Sequence, residues 1–221
     1  MEEMNKENIL KRCISGMIIA AIFITAIFVF RPLFYILSYI IAALMLFEWY
    51  NMANKSKSCN LLGQVLIPLP IASLLFLSHI DQSGWLLFTF FAIIWSVDIM
   101  AMFGGKLIGG PKLASKISPN KTISGLIIGV SFAIIITNII AYMPSYYIAY
   151  GLLNSHYALS LFALIIGLTA QASDLLVSYF KRKFNIKDSG TIIPGHGGML
   201  DRFDSIILTA PLVVLYFIAY L

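Results

Sequence analysis

Between Ser178 and Asp204 the chain reads SYFKRKFNIKDSGTIIPGHGGMLDRFD, and nearly every kind of group that handles phosphate is present. Lys181, Arg182, Lys183, Lys187 and Arg202 are cations, and Asp188, Asp201 and Asp204 are carboxylates. Gly190, Pro194-Gly195 and Gly197-Gly198 form turns whose amides no side chain obstructs. Cations, carboxylates and bare amides in one segment are the means of binding a polyanion together with a divalent metal. Just upstream, Asp174 precedes Ser178 by four residues and Lys181 by seven, so the three share one face of a helix. Asp201 and Asp204, three apart, share a face as well if a helix begins near Leu200. Asp174, Asp201 and Asp204 are therefore candidate ligands for Mg²⁺, a hard ion that takes oxygen donors and often shares them with substrate phosphates. His196, inside the glycine run, is a candidate catalytic group or a loop histidine locked in one tautomer.

The elements that must hold these residues are membrane spans. The 221 residues are 60% hydrophobic and 11% charged, with a mean hydropathy of +0.90, which excludes a soluble globular domain. A span needs about 20 apolar residues, and the pattern predicts an all-α polytopic membrane protein with seven: 13–30, 33–53, 60–78, 84–104, 123–143, 156–180 and 205–221. Fourteen of the fifteen Lys and Arg residues fall in alternate connections and only Arg31 in the others. The positive-inside rule then puts the N-terminus, 105–122 and 181–203 in the cytoplasm. A net charge of +5 without a basic domain argues against nucleic acid. Cys13 and Cys59 read as structural thiols on the reducing side, and the N-terminal apolar run as a retained span. Residues 1–95 are expected to be scaffold and 96–221 the catalytic region, within one membrane domain.

Asp98 lies eight residues before Lys106, and Asp174 seven before Lys181. At a rise of about 1.5 Å per residue, each carboxylate sits on the order of 10 Å below a basic rim on the same side, so a shared polar cavity is expected. Glu48, two turns before Lys55, reads first as an interfacial carboxylate paired with a lysine, although an acid within a span is costly. Between Gly104 and Gly125, four glycines before Pro111 are expected to prevent a continuous helix, and four lysines offer point charges for phosphate. That connection is not a P-loop, because G-x4-G-K-[ST] does not occur in it. His79 and His156 fall on the opposite side and receive no role.

Written S-x-F-K-R-x4-K-D-x-G-x2-I-P-x-H-G-G-M-x-D-R-F-D, residues 178–204 resemble, without a break, the signature of the CDP-diglyceride synthetases, also called phosphatidate cytidylyltransferases. Asp98, Ala101, Gly105, Gly109, Leu113 and Ile117-Ser118-Pro119-x-Lys121-Thr122 with Gly125 are similar to that family's second block. Ser124 stands where the family usually has Glu, and no role is carried onto it. The resemblance covers 98–204 well and the first 90 residues weakly, and typical members are longer at the N-terminus. It implies transfer of a cytidylyl group from CTP to phosphatidate, giving CDP-diacylglycerol and pyrophosphate. It also implies Mg²⁺ with a K⁺ beside it, held by the aspartates at Asp174 and Asp201, and a homodimer in a bacterial inner membrane with its site toward the cytoplasm.

The candidate set on this reading is Asp174, Asp201, Lys181, Arg182 and His196 for catalysis. Ser118, Lys121, Thr122, Ser178, Lys187, Asp188, Gly197, Gly198 and Arg202 are candidates for substrate, and Asp204 and Asp98 join Asp174 and Asp201 for the metal. A cytidylyltransferase for another lipid phosphate and a transporter with broken helices are the alternatives. No internal repeat supports the second of these.

Overall fold

Prolines and glycines punctuate the chain, and helices fill the stretches between them. The computed structural model describes residues 20–54, 56–143, 155–190, 192 and 197–219. Cys13, Lys55, the start of the first expected span, Pro194-Gly195 and His196 lie outside the described residues. Helix α1 is described over 20–28. Helix α2 (Arg31–Ala53) starts with Pro32 in its first turn, where the missing N–H costs nothing. Its buried stripe of Phe34, Ser38, Ile41, Met45, Glu48 and Met52, with Trp49 beside Glu48, alternates steps of four and three, one face of a helix.

The third expected span is two helices, α3 (Lys57–Leu66) and α4 (Pro68–Ile80). Ser56 caps the first, its Oγ accepting from the Cys59 amide, and Pro68 interrupts the backbone ladder between them. The Asp81 carboxylate takes the amides of Ser83 and Leu86 at 3.1 and 2.6 Å and so caps α5 (Trp85–Ile108). Arg31 donates to the carbonyls of Asp81 and Gln82, which ties this turn to the start of α2.

Contrary to expectation, Gly104 and Gly105 do not break α5. A helix tolerates glycine where another backbone must come close, and α6 (Ile123–Ile140) packs there: a Cβ on Gly125 would lie 2.5 Å from the Ala101 carbonyl oxygen. The helix stops instead at Gly109 and Gly110, whose φ values of 67° and 97° only glycine adopts without strain. The following residues form an antiparallel hairpin, β1 (Lys112–Ala114) with β2 (Ser118–Thr122), where an irregular loop was expected. Thr122 ends β2 and caps α6 through a 3.1 Å bond from the Gly125 amide. Helix α7 (His156–Lys183) is capped by Ser155, and a short α8 (Leu200–Phe203) leads through Asp204-Ser205 into α9 (Ile206–Ile218).

Among the described residues five helical stretches are long and apolar enough to cross a membrane: Arg31–Ala53, Lys57–Ile80, Trp85–Ile108, Ile123–Ile140 and His156–Lys183. Helix α9 is apolar but shorter, at 13 residues. Trp49, Phe34, Phe90 and Phe217 are fully buried, whereas Leu107, Leu215 and Ile127 stand 60% exposed or more. A bundle that is apolar inside and outside has a membrane as its solvent. The protein is an all-α membrane protein with one small hairpin at one end of the bundle.

Candidate active site

That end of the bundle collects the hairpin, the C-terminal turns of α7 and the chain leading into α8. Asp174, Ser178 and Lys181 lie on one helix, and Ser178 Oγ donates to Asp174 Oδ1 at 3.3 Å. The hairpin reaches the same face, where the Lys121 ammonium pairs with Asp174. One turn further on, Arg182 donates from Nε to the Ile117 carbonyl at 3.2 Å and from Nη1 to the Ile186 carbonyl at 3.1 Å. One N–H of the guanidinium thus fastens the hairpin to α7, and another holds the chain that follows α7.

Asp201 is held from three directions. Its Oδ1 accepts from Lys181 Nζ at 2.7 Å, and its Oδ2 from the amides of Ser189 and Gly198 at 2.8 and 2.9 Å. The oxygen fits because Gly197 has no side chain: a Cβ there would meet Oδ2 at 2.9 Å. Burial disfavours the charge on Asp201, but the Lys181 hydrogen bond, with the Gly198 and Ser189 amides, outweighs it and holds the carboxyl below its ordinary range. The pair is buried, at 10% and 9% side-chain exposure, so its geometry is fixed rather than solvent-averaged.

Asp204, three residues after Asp201, follows α8 with helical φ and ψ, as does Ser205. It is buried, and its carboxylate lies in the electrostatic field of Asp174, Asp98, Lys181 and Lys121. Ser173 Oγ donates to the Asp204 carbonyl and accepts from the Leu208 amide at 3.1 Å, fixing the start of α9 against α7. Asp98 on α5 is reached by Gln171 Nε2 at 3.4 Å. Asp98, Asp174 and Asp204 therefore face a common region from three helical segments, with Lys121 and Lys181 as its cations. Asp98 and Asp174, expected at one depth, do lie within each other's electrostatic reach.

The other sequence candidates divide by position. Ser118 is half-buried in β2, and Lys187, Asp188 and Arg202 are exposed around the site. Thr122 is buried with its hydroxyl on the Gly125 amide and near Ser124 Oγ, and Ser124 donates to the Gly109 carbonyl. Glu48 departs most from expectation. It is 2% exposed and, among the described residues, pairs with no lysine; it accepts from Ser189 Oγ, the Met199 amide and the Leu200 amide. An acid on the buried stripe of α2, between Met45 and Trp49, was the available signal, but its partners are 141 to 152 residues away and spacing cannot show them.

For a metal the donor chemistry is suitable, since Asp98, Asp174, Asp201 and Asp204 offer carboxylate oxygens in this region. Among the described residues no three His, Cys, Asp or Glu side chains converge as a ready cage. Mg²⁺ does not require one, because it is commonly held by one or two carboxylates plus substrate phosphates. The arrangement is two lysine-carboxylate pairs, a further pair of acids and exposed cations at one end of a greasy bundle, which suits a polyphosphate reacting at a membrane surface.

Comparison with known proteins points the same way. The chain is 51% identical over 217 residues to a phosphatidate cytidylyltransferase of Rickettsia bellii (strain RML369-C), covering 98% of this chain and 93% of the relative. It is 48% identical to one of Rickettsia conorii (strain ATCC VR-613 / Malish 7), over 97% and 94% of the two chains. A relative of the same name from Brucella abortus biovar 1 (strain 9-941) matches at 41% over 126 residues, 57% of this chain and 44% of its own. Residues 55–220 match the model of the Cytidylyltransferase family and contain the hairpin, both ion pairs and the signature segment, and with near full-length relatives at about half identity the chain belongs to that family.

Proposed function

We propose that this chain transfers the cytidylyl group of CTP to phosphatidate, giving CDP-diacylglycerol and pyrophosphate. The observation that carries the reading is the meeting of Lys121–Asp174 and Lys181–Asp201 from three separate segments at one end of an apolar bundle. An oxygen of the lipid phosphate forms a bond to the α-phosphorus of CTP. The bond from that phosphorus to the bridging oxygen breaks, and pyrophosphate leaves with the electron pair. Both reactants carry their own reactive oxygens, so no covalent enzyme intermediate is required.

What the site must do is bring two anions together and stabilise the charge that grows on the leaving group. Lys121 and Lys181 are placed for this, and their pairing with Asp174 and Asp201 keeps both signs of charge in the site before substrate arrives. Asp174 and Asp201, with Asp204 and Asp98 beside them, would hold Mg²⁺, which when bound polarises phosphoryl oxygens; a neighbouring K⁺ belongs to the same proposal. Ser118, Thr122, Ser178, Arg182, Lys187, Asp188 and Arg202 surround the phosphates, and the amides of Gly197 and Gly198 lie beside them. His196 is assigned to the same loop. The same reading puts this end, where basic residues outnumber those of the other, toward the cytoplasm, and takes the protein as a seven-span homodimer of a bacterial inner membrane. Phosphatidate then reaches the site sideways from the bilayer and CTP from water. Purified protein given CTP labelled in the α-phosphate, phosphatidate micelles and Mg²⁺ should move label into the lipid phase. No lipid label with phosphatidate, but label with another lipid phosphate, would change the acceptor and keep the reaction.

A further inference from the structure

Glu48 stands seven residues before the stretch matched to the family, on a helix that contributes no other group to the site. Its carboxylate is nonetheless engaged at both oxygens. Its Oε2 accepts from Ser189 Oγ at 2.9 Å and from the Leu200 amide at 2.8 Å, and its Oε1 accepts from the Met199 amide at 2.8 Å. Two glycines make room for it. A Cβ on Gly190 would lie 2.7 Å from Oε1, and one on Gly198 would lie 2.5 Å from Oε2. A carboxylate at 2% exposure in a membrane protein is expensive unless its oxygens are satisfied. Among the described residues, they are satisfied by the chain around Asp201.

The donors of that chain are divided between two acids. Ser189 gives its amide to Asp201 and its hydroxyl to Glu48; Gly198 gives its amide to Asp201, and the next two amides go to Glu48. Without Glu48, three of these donors would lose their acceptor, the Leu200 amide while buried, and the segment would have to rotate to find others. Rotation would carry the Ser189 and Gly198 amides away from Asp201. The helix bearing Glu48 is tied to α3, where Trp49 donates to the Cys59 carbonyl at 2.9 Å, and meets α7 where Trp49 packs edge-on against Phe180 at 5.1 Å, next to Lys181. Glu48 therefore refers the position of Asp201 to the same wall that carries Lys181.

We propose that Glu48 is a positioning residue for the cytidylyl transfer inferred above: it touches no substrate, and sets the register in which Asp201 meets Lys181. Glutamine is the informative replacement. It keeps the size, yet has one acceptor oxygen, so its NH₂ faces an amide N–H whichever way it turns. In Glu48→Gln, kcat falls at least about tenfold while KM for CTP and for phosphatidate stays within about twofold, because misplacement of a reacting group lowers turnover without removing ground-state contacts. Hydrogen-deuterium exchange quickens in peptides covering 197–203 and not in α5 or α6. Unchanged kcat, or quickened exchange spread evenly over the molecule with normal turnover per folded molecule, would overturn the proposal.

If Glu48→Gln does not fold, Ser189→Ala decides, since it removes one of the three bonds and leaves the carboxylate its two amides. It should lower kcat by about threefold, the value of one hydrogen bond, and quicken the same peptides; wild-type turnover and exchange would refute the role. If the wild-type protein transfers no cytidylyl group, the activity arm counts against that reaction alone, and exchange at 197–203 decides the role of Glu48.

Discussion

Both oxygens of Asp201 are occupied, one by a buried ammonium and one by two amides, so a change there has two separable effects. Because its folded-state pKa is lowered, its contribution to stability is present above the unfolded value of about 4 and is lost as pH falls through the folded value. Asp201→Asn should therefore unfold more easily than wild type at neutral pH, by about 3–5 kcal/mol for a broken buried pair, and the gap should shrink below about pH 4. Denaturation of both proteins across pH 3–7 measures this, and a gap independent of pH would show that the ion pair is not its source. Arg182 is tested differently. Its fork spans the Ile117 and Ile186 carbonyls, and lysine is a point charge that cannot span them. Arg182→Lys should insert normally yet lose about tenfold or more in kcat/KM, whereas a solvated basic anchor would tolerate the exchange. The grouping of Asp174, Ser178 and Lys181 was legible from sequence because one unbroken helix carries all three. The groups around Asp201 and Asp204, Lys181 among them for both, were not, because tertiary packing brings them there. The role of Glu48 was hidden for the reason that its partners are tertiary.

At the scale of elements, the tight pair α5 and α6 decides where Lys121 sits. Backbone meets backbone at Gly125, where a Cβ would come within 2.5 Å of the Ala101 carbonyl, and Thr122, three residues earlier, closes the hairpin onto the helix. Gly125→Val should lower stability by about 1–3 kcal/mol, the usual cost of overpacking, and reduce activity further by displacing Lys121. Ile127→Val, at a site 60% exposed, serves as the neutral comparison. Thermal unfolding in detergent with parallel assays would check both, and a stable, fully active Gly125→Val would show that the close approach is dispensable. The positions of the long helices were readable from hydropathy, since each fills a run bounded by charge, Pro or Gly. The end of α5 was misjudged because glycine has two uses. Gly104 and Gly105 serve packing within the helix, and only Gly109 and Gly110 adopt the positive φ that stops it. The hairpin was unreadable because SPNKT has no strand-like alternation of apolar residues; the Ile123 amide on the Pro111 carbonyl and Arg182 on Ile117 help to hold it in place.

For the whole molecule, the account requires one polar end in a bundle otherwise dissolved in lipid, and that end facing the compartment that holds nucleotide. With Cys13 and Cys59 removed, Lys187→Cys should resist an impermeant thiol reagent in intact cells, and Gln82→Cys, at the opposite turn, should react. The reverse pattern would invert the protein and separate the site from CTP. Glu48 and Trp49, from the half expected to be scaffold, contact the loop and helix of the other half. The central claim is that the two lysine-carboxylate pairs form one metal-assisted cytidylyl-transfer site, and a single assay addresses it most directly. Wild-type protein, Asp174→Asn and Asp201→Asn are each incubated with phosphatidate micelles and α-labelled CTP, with Mg²⁺ and with chelator, after circular dichroism has shown that each is folded. The account predicts label in the lipid phase for wild type with Mg²⁺ and in no other sample. Lipid label from either folded variant at the wild-type rate, or from wild type in chelator, would contradict it.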